Sequence, residues 1–309
     1  MLWALLIAGQ VHKATKSSQW VWDVYSKKEH YAQQIKLPKI VLVSGSNTLF
    51  GIKSPLLSQA LHRPVINDAV NAGVGLPTLL MHAKRVIKTD DIVILPLEYP
   101  LYSYDGKPGV QMIDYLYART PEMIKSLTLS EQFWLFWHIS FNRIRAGYTD
   151  GKEVPVSRGL YGSHNTYKYG DQTNSEKASQ TKAMKKEISQ HQKQPESYGE
   201  SFDAKALGWA YLADFVNWCE QRDVTVIFMP STLMNDVSYS TNEKEKWFYS
   251  HIGKEVRKRG WHFVGNPYDY MYGSEDYLNT NFHLTDEARK KRTLQVIKDL
   301  KLSEFANIF

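Results

Sequence analysis

Five short apolar runs recur along the chain, and each is rich in β-branched residues and bounded by Gly, Pro, Asn or Asp. The runs are continuous rather than alternating, which is typical of strands buried on both faces of a sheet. They predict strands at residues 39–43, 64–66, 91–95, 224–229 and 261–264. The sequence therefore indicates a sheet whose strands are spread over most of the chain.

Helical patterns lie between these strands. One helix is predicted to start at Ser54 as N-cap with Pro55 in its first turn, and another runs from Leu76 to about residue 87. Apolar periodicity predicts further helices at 203–221 and 243–259, and a last one starts at Thr285, with acids in its first turn. Strands that alternate with helices predict an α/β fold with a doubly wound, mostly parallel sheet.

Two stretches break this rhythm and together form an insertion at about 117–200 in a domain that covers 37–309. Residues 117–144 are aromatic, with Phe133, Trp134, Phe136 and Trp137. We expect a helical hairpin that thickens the core, in preference to a lid or a membrane-facing patch. Residues 168–200 are rich in Lys, Gln, Ser and Glu, so we expect a mobile loop or an excursion outside the core.

The N-terminal segment, 1–36, opens with the apolar run MLWALLIAG, which is too short to span a bilayer. Two interpretations remain: the outer end of a membrane anchor, or a helix that packs on the domain. We prefer the anchor because Trp3 lies in the run and Lys13 and Lys16 follow it.

The net charge of +6 and the pI of about 9.0 suit an acidic polymer or an anionic membrane surface. No RNA-binding aromatic signature or zinc-finger spacing is present in the sequence, so nucleic acid is not an expected partner. The histidines are scattered, and neither a metal site nor a cofactor is expected. The single cysteine, Cys219, falls in an apolar helical pattern and is expected to be buried.

Candidate chemistry lies in the loops that follow the predicted strands, because ligands bind at the carboxyl ends of the strands in an open parallel sheet. Ser46 follows the first strand, and Gly45 allows a sharp turn before it. Gly73 or Gly75, after the second strand, could supply a further backbone donor to an oxyanion. His283 precedes the last helix and could act as the base that a serine nucleophile needs.

These residues resemble the conserved blocks of the SGNH (GDSL-type) hydrolases. VLVSGSNTLFGI resembles the first block, VINDAVNAGVG the second and NTNFHLTDEA the last. The resemblance implies a flavodoxin-like three-layer fold with Ser46 as nucleophile, His283 as base, Gly73 as an oxyanion donor and Asn71 in the binding loop. It is closer still to envelope members that work with membrane-bound O-acyltransferases, which implies a polysaccharide or teichoic acid acceptor and a membrane-anchored, extracytoplasmic location.

Two positions depart from the family pattern. The third block usually carries an oxyanion-binding Asn, whereas this chain reads LPLEYPLY with Glu98. Glu98 is expected to bind a sugar hydroxyl, hold an arginine or form a structural ion pair. The family also has an Asp shortly before the histidine, but here Thr280 takes that place. Asn279 or Asp276 is the expected third triad member, and an Asn stabilises imidazolium less than an Asp does.

Three functions follow as alternatives. The preferred one is a serine-dependent O-acyl transferase or esterase, with acetyl as the expected group, that acts on an envelope polysaccharide. The second is a catalytically impaired relative that binds polysaccharide or a membrane acyltransferase. The third is a plain intracellular esterase, with a cytoplasmic location.

Overall fold

The computed structural model describes residues 2–149 and 159–309, and its centre is a five-stranded parallel sheet with the order β2-β1-β3-β4-β6. The strands are β1 (Ile40–Leu42), β2 (Val65–Asn67), β3 (Ile92–Leu95), β4 (Thr225–Phe228), β5 (Leu233–Met234), β6 (His262–Phe263) and β7 (Met271–Tyr272). All five predicted strands are confirmed within one or two residues. β5 and β7 were not predicted; they pair with each other in a separate two-stranded parallel sheet.

The helices are α1 (Leu2–Ala8), α2 (Lys16–Gln34), α3 (Ser46–Leu49), α4 (Ser54–Leu61), α5 (Leu76–Val86), α6 (Val110–Arg119), α7 (Leu129–His138), α8 (Phe141–Thr149), α9 (Lys182–Lys193), α10 (Tyr198–Ser201), α11 (Leu207–Glu220), α12 (Ser238–Thr241), α13 (Glu243–Arg257) and α14 (Asp286–Leu302). The sequence predicted Ser54 as the N-cap of α4, but Lys53 occupies that position. Ser54 is the first helical residue, and its hydroxyl donates to the Asp171 carboxylate 2.6 Å away.

The strands bury both of their faces, and this confirms the doubly wound α/β fold. Val41 and Val93 point into a core with α2, α5, α11 and α13, whereas their neighbours Ile40 and Ile92 point into a second core with α4 and α14. Cys219 is fully buried in the first core, as predicted. The strand order changes direction between β1 and β3, so the loops after these two strands leave a crevice at the carboxyl edge of the sheet.

The helices of the N-terminal segment pack on the domain. α2 contributes Val21 and Val24 to the main core, and α1 buries Ile7 with residues of α6 and α7. Within the described residues, no helix combines the length and the apolar character needed to cross a membrane.

The aromatic stretch 117–144 is helical but only half buried, contrary to the expectation of a buried hairpin. Leu135 and Ile139 join a small core with α6, whereas Phe133 and Trp137 are exposed. The stretch 168–200 lies outside the sheet, but it is more structured than its composition suggests. It contains α9 and α10, and it buries Asp171. Residues 150–158 of the predicted insertion lie outside the described residues.

Candidate active site

The turn after β1 presents Ser46 at the carboxyl edge of the sheet. Ser46 is the first residue of α3, and its side chain is half-buried. Among the described residues, neither its hydroxyl nor its backbone N–H has a hydrogen-bond partner. A backbone N–H at the first position of a helix has no acceptor within the helix, so this donor remains available to a ligand.

The Glu98 carboxylate, in the loop after β3, fastens this turn from behind. Its two oxygens accept hydrogen bonds from the Gly45 N–H at 2.9 Å, the Asn47 N–H at 3.1 Å and the Ser44 hydroxyl at 3.0 Å. Glu98 therefore holds the residues on either side of Ser46. It bonds no arginine within the described residues, contrary to one sequence interpretation, and it forms no ion pair there.

Asn47 connects the turn to a buried arginine on α14. Its amide nitrogen donates to the Ser44 hydroxyl at 2.6 Å and to the Pro96 carbonyl at 3.0 Å. Arg292 donates to the backbone oxygen of Asn47 at 2.7 Å and to its side-chain oxygen at 2.9 Å. Burial lowers the pKa of Arg292, whereas the nearby tyrosines and Glu98 act in the opposite direction. The turn thus lies between a buried acid and a buried base.

The loop after β2 differs from its predicted arrangement. The N–H of Gly73 donates to the Asn71 side-chain oxygen at 2.8 Å, and Gly73 itself is exposed. Asn71 therefore caps a short 3-10 helix at 72–74, and its own amide donates to Gln111. Gly75 adopts a φ of +80° and forms the N-cap of α5, a conformation that favours glycine. Neither Gly73 nor Gly75 offers a free donor beside Ser46 in this conformation.

The backbone N–H of Ala72, and not that of Gly73, lies against the Ser46 turn. A Cβ atom added to Gly45 would lie only 2.4 Å from the backbone nitrogen of Ala72, so this N–H lies against the Ser46 turn. The Ala72 N–H has no acceptor within the described part of the chain. The N–H groups of Ser46 and Ala72 are consequently the two free backbone donors at this point.

His283 lies before α14, and two side chains contact its ring at Nδ1. The Asn279 side-chain oxygen is 2.9 Å from Nδ1, and the Tyr161 hydroxyl is 3.5 Å from it. The Asn279 amide nitrogen donates to the Tyr161 hydroxyl at 2.9 Å, which fixes the amide with its oxygen toward the ring. Nδ1 therefore carries the proton, and Nε2 is left as the basic nitrogen.

The His283 ring is buried and stacks on Phe50 with the ring centroids 4.2 Å apart. Burial, with a smaller contribution from the charge of His191, lowers the pKa of His283 to about 3. The imidazole is therefore neutral at pH 7, the protonation state required of a general base. Asp276, the other candidate for the orienting role, contacts Lys291 at 2.7 Å instead of the histidine.

Ser46 and His283 lie at the same end of the sheet. Phe50, which carries the stacked histidine ring, is one helical turn after Ser46 and donates its N–H to the Ser46 carbonyl at 3.0 Å. No hydrogen bond joins the Ser46 hydroxyl to His283. The structure thus brings the predicted nucleophile and base to one region without closing the contact between them.

The insertion covers the histidine loop. The Gln180 side chain donates to the carbonyls of Tyr277 and Leu278, at 3.1 Å and 2.7 Å. The Asn281 amide donates to Glu196 at 2.7 Å, and Ile188 of α9 packs in a cluster with Tyr277. α9 therefore packs against the loop that carries His283, and the residues on either side of α9 hydrogen-bond to that loop.

Several residues of the site were not singled out from the sequence: Ala72, Phe50, Tyr161 and Arg292. Tyr161 contacts a histidine 122 residues later, and nothing local to the sequence indicates this pairing. The sequence weakly indicates the burial of Arg292, because this residue falls on the face of α14 that carries apolar positions such as Ala288 and Val296.

No protein-family model matches the chain, and no curated protein matches it. Among solved structures, a protein from Streptococcus pneumonia described as a candidate platelet activating factor is similar in fold, with 10% sequence identity, 92% coverage of each chain and a TM-score of 0.42.

Proposed function

We propose that the chain is a serine-dependent acyltransferase or esterase in which Ser46 is the nucleophile, His283 the general base and Asn279 the residue that orients the base. The observation that carries the proposal is the hydrogen bond between Asn279 and Nδ1 of His283, which leaves Nε2 free to accept a proton. The free N–H groups of Ser46 and Ala72 add the donors that a tetrahedral oxyanion needs.

The reaction would proceed through an acyl-enzyme. The Ser46 oxygen attacks the acyl carbonyl of an ester, and its proton passes to Nε2 of His283. The oxyanion binds the two free backbone donors, and the histidine then gives its proton to the leaving alcohol as the old ester bond breaks. A second hydroxyl group loses its proton to His283 and attacks the acyl-serine. The bond between the acyl carbon and the Ser46 oxygen then breaks, His283 returns the proton to that oxygen, and the new ester or, with water, the free acid is released.

The nature of the second hydroxyl distinguishes transferase from esterase. The buried histidine and the α9 cover restrict water, which favours transfer to an acceptor that binds in place of water. We propose a cell-envelope polysaccharide as the acceptor and acetyl as the group transferred, from the resemblance of the Ser46 and His283 segments. The same resemblance supports an extracytoplasmic location and a membrane-bound O-acyltransferase as the acyl supplier.

Binding without turnover is the second candidate function. Two observations favour it: Ser46 and His283 do not form a hydrogen bond, and a Glu98 carboxylate stands where the family has a neutral amide. In that case the crevice would hold a polysaccharide or contact the membrane acyltransferase.

The experiment compares wild type with Ser46→Ala and His283→Ala. With nitrophenyl acetate, we expect each change to lower kcat by on the order of 10⁶, with the double variant little worse, because the residues act as one unit. Ser231→Ala, in the loop after β4, is the matched control and should retain activity. Mass spectrometry should find an acetyl group on the Ser46 peptide of the wild type after quenching.

Because the natural acceptor could be required for turnover, the same variants are also compared in cells by measuring acylation of the surface polymer. Loss of polymer acylation with Ser46→Ala and not with Ser231→Ala supports catalysis. Equal acylation in the wild type and the Ser46→Ala strain would remove Ser46 from the reaction and favour the binding function.

A further inference from the structure

Exposed aromatic side chains are concentrated on two helices remote in sequence from Ser46. Of the six exposed large aromatic residues within the described residues, four lie on α7 and α8: Phe133, Trp137, Phe141 and Tyr148. On α7, Leu129, Phe133 and Trp137 follow one another at intervals of four and so share one face. An aromatic side chain that is 67% exposed, as Phe133 is, gains nothing from the core of its own domain.

The N-terminal helix α1 extends this surface. The Trp3 ring lies edge-on to Phe141, with centroids 5.6 Å apart, and its indole N–H donates to the Phe136 carbonyl at 3.0 Å. The Tyr148 hydroxyl lies directly over Gly9, since a Cβ atom there would be 2.1 Å from it. Leu5 is exposed on the same helix. We call this combined face of α1, α7 and α8 the aromatic face.

The three helices of the aromatic face carry the exposed cation Arg145 and no exposed acid, whereas the segment before α7 carries both Lys125 and the exposed Glu122. Glu131 is the single carboxylate in these three helices, and it is fully buried. Arg145 lies between Phe141 and Tyr148 on the exposed side of α8. Lys13, whose carbonyl accepts from Arg143 of α8, and Lys125 before α7 are also exposed. Arg145, Lys13 and Lys125 make no ion pair within the described residues.

We propose that the aromatic face binds the surface of an anionic lipid bilayer. Aromatic rings of Trp, Tyr and Phe partition into the headgroup region, and neighbouring cations add attraction to acidic lipids. A second copy of the chain is a poorer occupant, because a twofold interface would bring the like charges around Arg145 together. This inference does not depend on the activity proposed for Ser46.

The helix α6 connects the aromatic face with the loop after β2. This helix packs against α7, and its Gln111 side chain contacts Asn71 and Gly73 in the loop after β2. α6 therefore contacts both the helix that carries Phe133 and Trp137 and the loop that carries Ala72.

The test uses the full chain and sedimentation with vesicles of phosphatidylcholine alone or of phosphatidylcholine with phosphatidylglycerol at about 7:3. At low salt, wild type should bind the acidic vesicles more tightly than the neutral ones, by about fivefold for each cation that contacts the surface. Phe133→Ser combined with Trp137→Ser should weaken binding to acidic vesicles at least about tenfold. Arg145→Glu should weaken binding to acidic vesicles and leave binding to neutral ones unchanged.

Leu302→Ser combined with Trp247→Ser is the matched control, because it removes two exposed apolar side chains from other helices. It should leave vesicle binding unchanged, and thermal unfolding should verify that all variants are folded. The proposal fails if wild type stays in the supernatant with acidic vesicles, or if the control and the aromatic variants lose binding equally. It also fails if wild type sediments only with native membranes and protease treatment of those membranes abolishes binding, because this would identify a protein partner. A dimer of the chain that the aromatic changes dissociate would likewise contradict the proposal.

Discussion

The side-chain oxygen of Asn279 lies 2.9 Å from Nδ1 of His283, at the position where serine hydrolases usually place a carboxylate. A neutral amide orients the ring but stabilises its protonated form less than a carboxylate does. Burial of the ring adds to this effect and lowers the pKa of His283 to about 3. The proposed base is therefore well oriented, weakly basic and neutral over an unusually wide pH range.

The pH at which activity falls on the acid side should reflect this low pKa. Because the base works only when neutral, kcat/KM of wild type should stay level from neutral pH down to about pH 4 and fall as the pH approaches 3. In Asn279→Asp, the new carboxylate favours imidazolium, so the fall of kcat/KM should move toward neutral pH. The profile is measured with a small activated ester.

Asn217→Asp, an exposed change of the same kind on α11, should leave the profile in place. If kcat/KM of wild type instead falls near pH 6.5, the ordinary pKa of histidine, His283 is not the base or is solvated during the reaction.

The same pKa predicts a pH dependence of stability. His283 is neutral in the folded chain down to about pH 3, whereas in the unfolded chain it takes up a proton below about pH 6.5. As the pH falls through this window, the unfolded state binds about one more proton, so the free energy of unfolding decreases. His283→Gln should lack this contribution. Urea titrations at several pH values should show the difference between the wild type and the variant changing below pH 6.5 and constant above it.

Glu98→Gln tests the carboxylate that accepts hydrogen bonds from the residues around Ser46. The amide has one acceptor oxygen, so it cannot replace both carboxylate oxygens toward Gly45, Asn47 and Ser44. We expect a loss of about 1–3 kcal/mol in the free energy of unfolding. We also expect kcat to fall by about a hundredfold, because Ser46 is displaced.

Glu122→Gln, an exposed change, is the control for Glu98→Gln and should alter neither quantity. A rise in kcat with Glu98→Gln would mean that the negative charge opposes the oxyanion more than it orders the turn.

Gly170→Ala should detach part of the insertion from the sheet. Gly170 has a φ of +92°, and a Cβ atom there would lie 2.1 Å from the backbone oxygen of Asn67 at the end of β2. Next to it, Asp171 accepts from the N–H and hydroxyl of Ser54. We expect faster hydrogen exchange across 168–200 in the variant than in wild type, with β1 unchanged. Gly109→Ala, where a Cβ atom meets no neighbour, is the control.

The sequence was informative where structure depends on local pattern. The central strands were predicted because their residues are apolar on both faces. His283 was selected as a candidate because it precedes a well-marked helix capped by Thr285. The strands β5 and β7 were not predicted, because each is only two residues long and so shows no periodicity. Tyr161 and Glu98 required the folded chain, since each acts on a residue more than 50 positions away. The exposed side of α7 was not foreseen, because an aromatic composition alone does not say which side is covered.

Gly45 is the point where the loops after β1, β2 and β3 touch. A methyl group on its Cα would lie 2.4 Å from the Ala72 nitrogen and 2.5 Å from the Glu98 carboxylate, closer than real Cβ atoms come to their neighbours. The absence of a side chain at Gly45 therefore allows the three loops to lie in contact at this point. Gly45→Ala would act as a wedge: it would open the mouth of the site while the sheet remains intact, and so separate the assembly of the site from the folding of the chain.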